Sequence, residues 1–152
     1  MKNDSKKPWT KHLVIFVVIV VHQLFSFLWY SPYLFAYKWI RAAEFRLALV
    51  PGYDKLEFYI PFVTSIFASL LLCYGLFALL TALRVTRIKK ALLLGTVCWL
   101  AFSFPLALTH NEFANRPITL TLIDSIRDLI LFLITSITLT WYINWGNKDA
   151  DR

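Results

Sequence analysis

Four long apolar stretches decide what this chain can become. Residues 12–30, 61–83, 91–109 and 118–142 each come near the roughly 20 residues that a helix needs to cross about 30 Å of hydrocarbon. A lone segment in lipid must satisfy its backbone internally, so each should be an α-helix. The runs are continuous and too long for the short alternating strands of a transmembrane β-barrel. Composition agrees: 59% of the 152 residues are hydrophobic and only 16% charged, against about 25% charged in a typical soluble domain. Mean hydropathy is +0.60. Four glycines and two cysteines exclude collagen and a disulfide scaffold, and the wealth of Leu, Ile, Val and Phe excludes disorder. The expected fold is all-α, a four-span transmembrane helical bundle forming one integral-membrane domain over residues 1–152.

The basic residues predict orientation. Lys2, Lys6, Lys7 and Lys11 precede the first span, and Arg84, Arg87, Lys89 and Lys90 crowd the connection between the second and third. Placing both groups in the cytoplasm leaves Lys38, Arg41, Arg46, Lys55 and Arg116 outside, with both termini inside. The setting implied is a cytoplasmic membrane. The net charge of +7 is then a membrane-facing feature, and no nucleic-acid partner is needed. Bulky residues at Phe25–Tyr30 offer no small-x-small cleavage site, so the first span should remain as an anchor. Trp29, Tyr30, Trp141, Tyr142 and Trp145 are placed to form interfacial belts.

Between spans one and two, Phe35, Trp39, Ala43 and Leu47 recur every four residues, and Lys38, Arg41 and Glu44 every three. That pattern predicts an external amphipathic helix at the outer interface, over about residues 33–50.

The fourth span is the informative one because it carries Asp124, Arg127 and Asp128. Three such charges near a span's centre cost about 7–10 kcal/mol on the insertion scale, comparable to everything its aliphatic residues return. They must therefore face protein, pair, or lose their charge. At 1.5 Å per residue, counting from His12 inside and Ile118 outside, His22 levels with Asp128, Gln23 with Arg127 and Ser26 with Asp124. The expectation is a polar seam of these six residues between spans one and four, with Asp124 and Arg127 paired within their helix. A seam of this kind either holds the helices together or lines a polar path.

Other features carry less. Cys73 and Cys98 read as ordinary buried thiols, Ser65, Ser69 and Cys73 as a row permitting close helix approach, and Pro105 as a kink in span three. No glycine-rich phosphate loop, zinc-ligand spacing or catalytic triad is legible, so no catalytic residue, metal or cofactor is assigned.

Two short blocks resemble a bacterial membrane family known as domain of unknown function 1761. They are Trp29-Tyr30-Ser31-Pro32-Tyr33-Leu34-Phe35 with Lys38-Trp39, and Asn111, Glu112, Phe113, Arg116-Pro117 with Leu122-Ile123-Asp124. The chain departs from that family's pattern where glycines usually stand, having Ala36-Tyr37 after Phe35 and Phe27-Leu28 before Trp29. The resemblance implies a small four-span protein in which Trp29, Tyr30, Pro32, Phe35, Arg116, Pro117 and Asp124 are the matching positions, without implying a reaction. Both blocks fall at the outer ends of spans one and four, so Glu112, Arg116 and Asp124 are expected to form an external pocket with Trp29 and Tyr30. The function expected is an accessory or assembly role beside a partner membrane protein or a second copy. The alternative is an oligomeric small-solute or proton pathway lined by His22, Asp124, Arg127 and Asp128.

Overall fold

The computed structural model describes residues 9–43 and 55–150, with side chains for residues 9–43 and 59–145. Among these residues six α-helices follow one another: α1 (Trp9–Trp29), α2 (Ala36–Ala42), α3 (Lys55–Ala82), α4 (Ile88–Cys98), α5 (Phe104–Phe113) and α6 (Ile118–Ala150). A five-residue π-helical turn, Trp99–Ser103, joins α4 to α5 without interruption. No strand occurs among the described residues.

Local chemistry sets the boundaries. Pro32 disfavours helical backbone at Ser31, so α1 stops at Trp29 and the chain folds into a tight turn. The Phe35 N–H closes that turn by donating to the Trp29 carbonyl at 3.1 Å. At the end of α3, Arg84 takes the left-handed conformation, φ 49°. The Val85 N–H then bonds the Leu80 carbonyl at 2.9 Å, and the Arg84 N–H bonds Thr81 at 3.1 Å. This is a Schellman cap, and its accompanying apolar contact is made by two core residues, Leu80 and Val85. Asn115 (φ 52°) ends α5 the same way, with the Arg116 N–H on the Asn111 carbonyl at 2.8 Å. Pro117 blocks continuation, and α6 begins at Ile118.

Pro105 lies just inside α5 and lacks the N–H that a continuous α-helix needs there. The π turn absorbs the defect, with the Phe104 N–H reaching back five residues to the Trp99 carbonyl. The expected kink is thus a π-bulge within one continuous helical path.

Among the described residues, three helical segments are long and apolar enough to cross a membrane, 9–29, 59–82 and 88–113, and not the four expected. The exception is α6. Besides carrying Asp124, Arg127 and Asp128, it buries Thr121, Ser125, Thr135, Ser136 and Thr140, and it contacts every other helix and the π turn. It is the post around which the apolar helices stand. The expected spans 61–83 and 118–142 are also longer in the structure, with Pro61 inside α3 instead of opening it.

The external amphipathic helix of about 33–50 is not confirmed. Within the described residues it reduces to the seven-residue α2, and Glu44 and Leu47 lie outside them. Tyr142 is buried and bonds the Thr10 hydroxyl at 2.9 Å, and Trp29 is also buried, so neither is a free interfacial belt residue.

The apolar core sits in the half of the bundle away from α2. Ile15, Val18 and Ile19 of α1 meet Cys73, Leu76 and Leu80 of α3, Ala91 and Cys98 of α4, and Leu139 of α6.

Candidate functional site

Three consecutive residues of α6 are gripped by three indoles. Trp29 Nε1 donates to the Ile123 carbonyl at 3.2 Å. Trp39 Nε1 donates to Asp124 Oδ1 at 2.9 Å. Trp99 Nε1 donates to the Ser125 carbonyl at 2.9 Å. The three come from the end of α1, from α2 and from the π turn, so one short length of α6 anchors three separate elements. The same Asp124 oxygen accepts the Tyr30 hydroxyl at 2.5 Å. Two neutral donors on a carboxylate are charge-assisted hydrogen bonds, roughly twice as strong as neutral ones.

Each family-like residue of the first block has a task here. Pro32 sets the turn, and Phe35 packs on Trp29 with ring centroids 4.5 Å apart. Tyr30 and Trp39 meet edge-on at 5.4 Å over Asp124. In the second block, Asn111 Nδ2 donates to Thr121 Oγ1 at 2.9 Å, tying α5 to α6 below the Asn115 cap. Arg116 reaches across to the Ala43 carbonyl at 2.8 Å, fastening the far end of α2.

Arg127 and Asp128 form the second half of the cluster. Nε and Nη2 of Arg127 both donate to Asp128 Oδ1, at 3.0 and 2.5 Å. The guanidinium stands over the Tyr30 ring, 5.4 Å from its centroid. Ser103 of the π turn offers its hydroxyl to Asp128 Oδ2 at 3.4 Å. The π-bulge has a consequence for the site: it presents Trp99 and Ser103, four residues apart, to the same flank of α6.

The six residues expected to share one seam are divided among three neighbourhoods. Asp124 joins Tyr30 and Trp39, not Ser26, whose side chain makes no hydrogen bond among the described residues. Arg127 pairs with Asp128, not with Asp124. Gln23 faces α3, donating to Ser69 at 3.3 Å and accepting from Ser65 at 3.2 Å. His22 is fully buried against Thr135, with Nε2 2.9 Å from Oγ1. The Thr135 hydroxyl proton goes to the Leu131 carbonyl at 2.8 Å, so Oγ1 accepts from His22 Nε2–H.

The reason is a register difference. His22 lies opposite Thr135, seven residues beyond Asp128, an offset of about 10 Å at 1.5 Å per residue. The depth count took Ile118 as level with the end of α1. In the structure Trp29 and Tyr30 meet Ile123 and Asp124, so about 9 Å of α6 projects past α1 and is flanked by the turn and α2. The charges therefore stand near one end of the bundle, where α1 finishes.

Of the expected external pocket, Trp29, Tyr30 and Asp124 come together. Arg116 belongs to the same end through Ala43. Glu112 is exposed and lines a shallow groove of about 400 Å³ with Leu108, Thr109 and Phe113. It makes no ion pair among the described residues. Trp39, Trp99 and Thr135 were absent from the expected site. Trp39 was legible as part of the first block, whereas nothing in the spacing of Trp99 or Thr135 marks a partner on a distant helix.

Cys73 and Cys98 are free and buried. Among the described residues no three His, Cys, Asp or Glu lie together as a metal cluster.

A helical protein with three membrane-length apolar helices among the described residues, braced by a polar central helix whose Asp124, Arg127 and Asp128 are hydrogen-bonded near one end, is the class that this geometry defines. The chain belongs to the family described as "Protein of unknown function (DUF1761)", whose model matches residues 13–140. No curated protein and no solved structure matches it.

Proposed function

We propose that the protein is a membrane-embedded accessory or assembly protein, and that α2 with its preceding turn is the part that meets a partner membrane protein. The observation that carries this reading is the double hold on Asp124 by Tyr30 and Trp39. It fixes α2 to the rest of the molecule and so preorganises the side chains that α2 and its preceding turn direct outward. Those are Tyr33, 91% exposed, and Tyr37, 73% exposed, with Leu34 and Ile40 beside them and the basic Lys38 and Arg41 between. Rigid, exposed aromatics lose little entropy on binding and are the commonest anchors of protein interfaces. The basic connection at residues 84–90 would face the cytoplasm of a bacterial inner membrane, following the bias of Lys and Arg.

A photo-crosslinking residue at Tyr37 tests this in intact membranes. The expected outcome is one dominant adduct, lost in Asp124→Ala, where α2 is released; scattered or absent adducts would overturn it.

A second reading, an oligomeric small-solute or proton pathway, is favoured by a row of buried polar atoms without hydrogen-bond partners: His22 Nδ1, Ser125 Oγ, Ser136 Oγ and Thr140 Oγ1. Such a row is either dry or bridged by water, and the two states respond oppositely when a hydroxyl is removed.

A further inference from the structure

The Arg127–Asp128 pair is unfinished. A guanidinium carries five N–H donors, and Arg127 directs only Nε and Nη2 to Asp128, both onto the single atom Oδ1. Among the described residues Nη1 has no hydrogen-bond partner, and Asp128 Oδ2 meets only the long contact from Ser103. The two side chains are 25% and 27% exposed, so the unused donors and acceptor are reachable from outside.

The exposed neighbours in sequence of Tyr30, Ser103 and Arg127 are apolar. Phe27 and Leu28 on the last turn of α1, Phe102 on the π turn, and Leu122 and Ile126 on α6 are all exposed. Hydrocarbon beside such residues supplies no acceptor, and an unmet donor there costs several kcal/mol. Yet the pair is one helical turn, about 6 Å, from Asp124, which is level with the end of α1. That depth is within reach of lipid headgroups, toward which a long basic side chain extends. Tyr30 covers one face of the guanidinium, so a ligand must meet it by its edge, where the free N–H groups are.

We propose that Arg127 and Asp128 hold the headgroup of a zwitterionic phospholipid whose cation is a primary ammonium, a phosphoethanolamine. The phosphate oxygens accept from the free guanidinium edge, the geometry that arginine serves best. The ammonium donates to Asp128 Oδ2. Phosphocholine presents the same phosphate, but its quaternary nitrogen has no N–H for Oδ2. Phosphoglycerol offers hydroxyl donors but no cation, so its negative charge adds to that of Asp128. The site thus discriminates by a cation that carries N–H donors, independently of whether α2 docks a partner.

The test uses the full chain purified in detergent, with native mass spectrometry reading the binding of phosphatidylethanolamine, phosphatidylcholine and phosphatidylglycerol of identical acyl chains. The ethanolamine lipid should bind about tenfold tighter than the choline lipid, the size of one charge-assisted hydrogen bond. Asp128→Asn should erase that preference while retaining phosphate binding. Arg127→Lys keeps the charge but loses the fork, and should weaken all three lipids. Equal binding of ethanolamine and choline lipids by the wild-type protein would overturn the proposal. So would an unchanged preference in Asp128→Asn that remains folded by circular dichroism. Soluble glycerophosphoethanolamine should compete only weakly; full displacement at equal concentration would assign the site to a free solute and overturn the lipid.

Discussion

The two ends of the buried face of α6 are held by different forces. From Thr121 to Asp128, contact with the rest of the molecule is made by directed hydrogen bonds from Trp29, Tyr30, Trp39, Trp99, Ser103 and Asn111. From Phe132 to Thr140, apart from the His22–Thr135 hydrogen bond, contact depends on closeness. Ala91, Gly95 and Cys98 form a small-residue stripe on α4, buried against α6. A Cβ placed on Gly95 would lie 3.2 Å from the Phe132 carbonyl oxygen and would collide with the Ser136 hydroxyl. Small residues allow two helices to approach until backbone meets backbone, which is how helices associate where solvent supplies no hydrophobic drive. The hydrogen-bonded region keeps segments of chain that have little apolar area of their own, such as the seven-residue α2. The packed region joins long helices that have apolar area in abundance. Directionality is used where an element must be aimed, and packing where it must only be close.

Breaking the directed end should have the largest effect. Asp124→Ala leaves the Tyr30 hydroxyl and the Trp39 indole without their acceptor, at about 1–3 kcal/mol for each buried group. Asp124→Asn retains an acceptor oxygen and should lose less than half as much. Denaturation by sodium dodecyl sulfate in mixed micelles gives both values, and equal losses would show that charge, not hydrogen bonding, secures α2.

The packed end should respond less, and by a different route. Gly95→Ala forces a contact that the Phe132 backbone cannot escape, costing about 1–3 kcal/mol through overpacking. Combining it with Ser136→Gly should restore part of that loss, because one of the two obstructions is removed. Strict additivity of the two changes would mean that α4 and α6 do not touch there.

The smallest effect separates a dry interior from a wet one. Thr140 is fully buried and its hydroxyl has no hydrogen-bond partner among the described residues. Thr140→Val keeps the shape and deletes that hydroxyl, so in a dry bundle it should stabilise by up to about 1 kcal/mol. A loss of stability would reveal bound water along α6, the feature that a conducting path requires.

Much of the molecule is legible from residues alone. The apolar runs at 12–30, 61–83 and 91–109 specify helices because lipid permits little else. Pro32, Pro105 and Pro117 mark the turn, the bulge and the helix start because proline removes a donor and restricts its neighbour. That Asp124, Arg127 and Asp128 must find shelter follows from the cost of charge in hydrocarbon.

Partner choice was not legible. A depth count from helix ends assumes that both helices begin at the same surface, and α6 instead overshoots α1 by about 9 Å. Sliding one helix by a turn or two leaves every apolar residue apolar and every helix intact, so composition and periodicity are blind to it. Only the fold of residues 30–43 sets the slide, because that turn brings Tyr30 and Trp39 to Asp124. Sequence alone determined that the chain is a bundle of membrane-length helices with one polar member, since solvation free energy depends on residue type. Tertiary structure decided which donor meets which acceptor, because hydrogen bonds act over about 3 Å and a register error of one turn exceeds that reach.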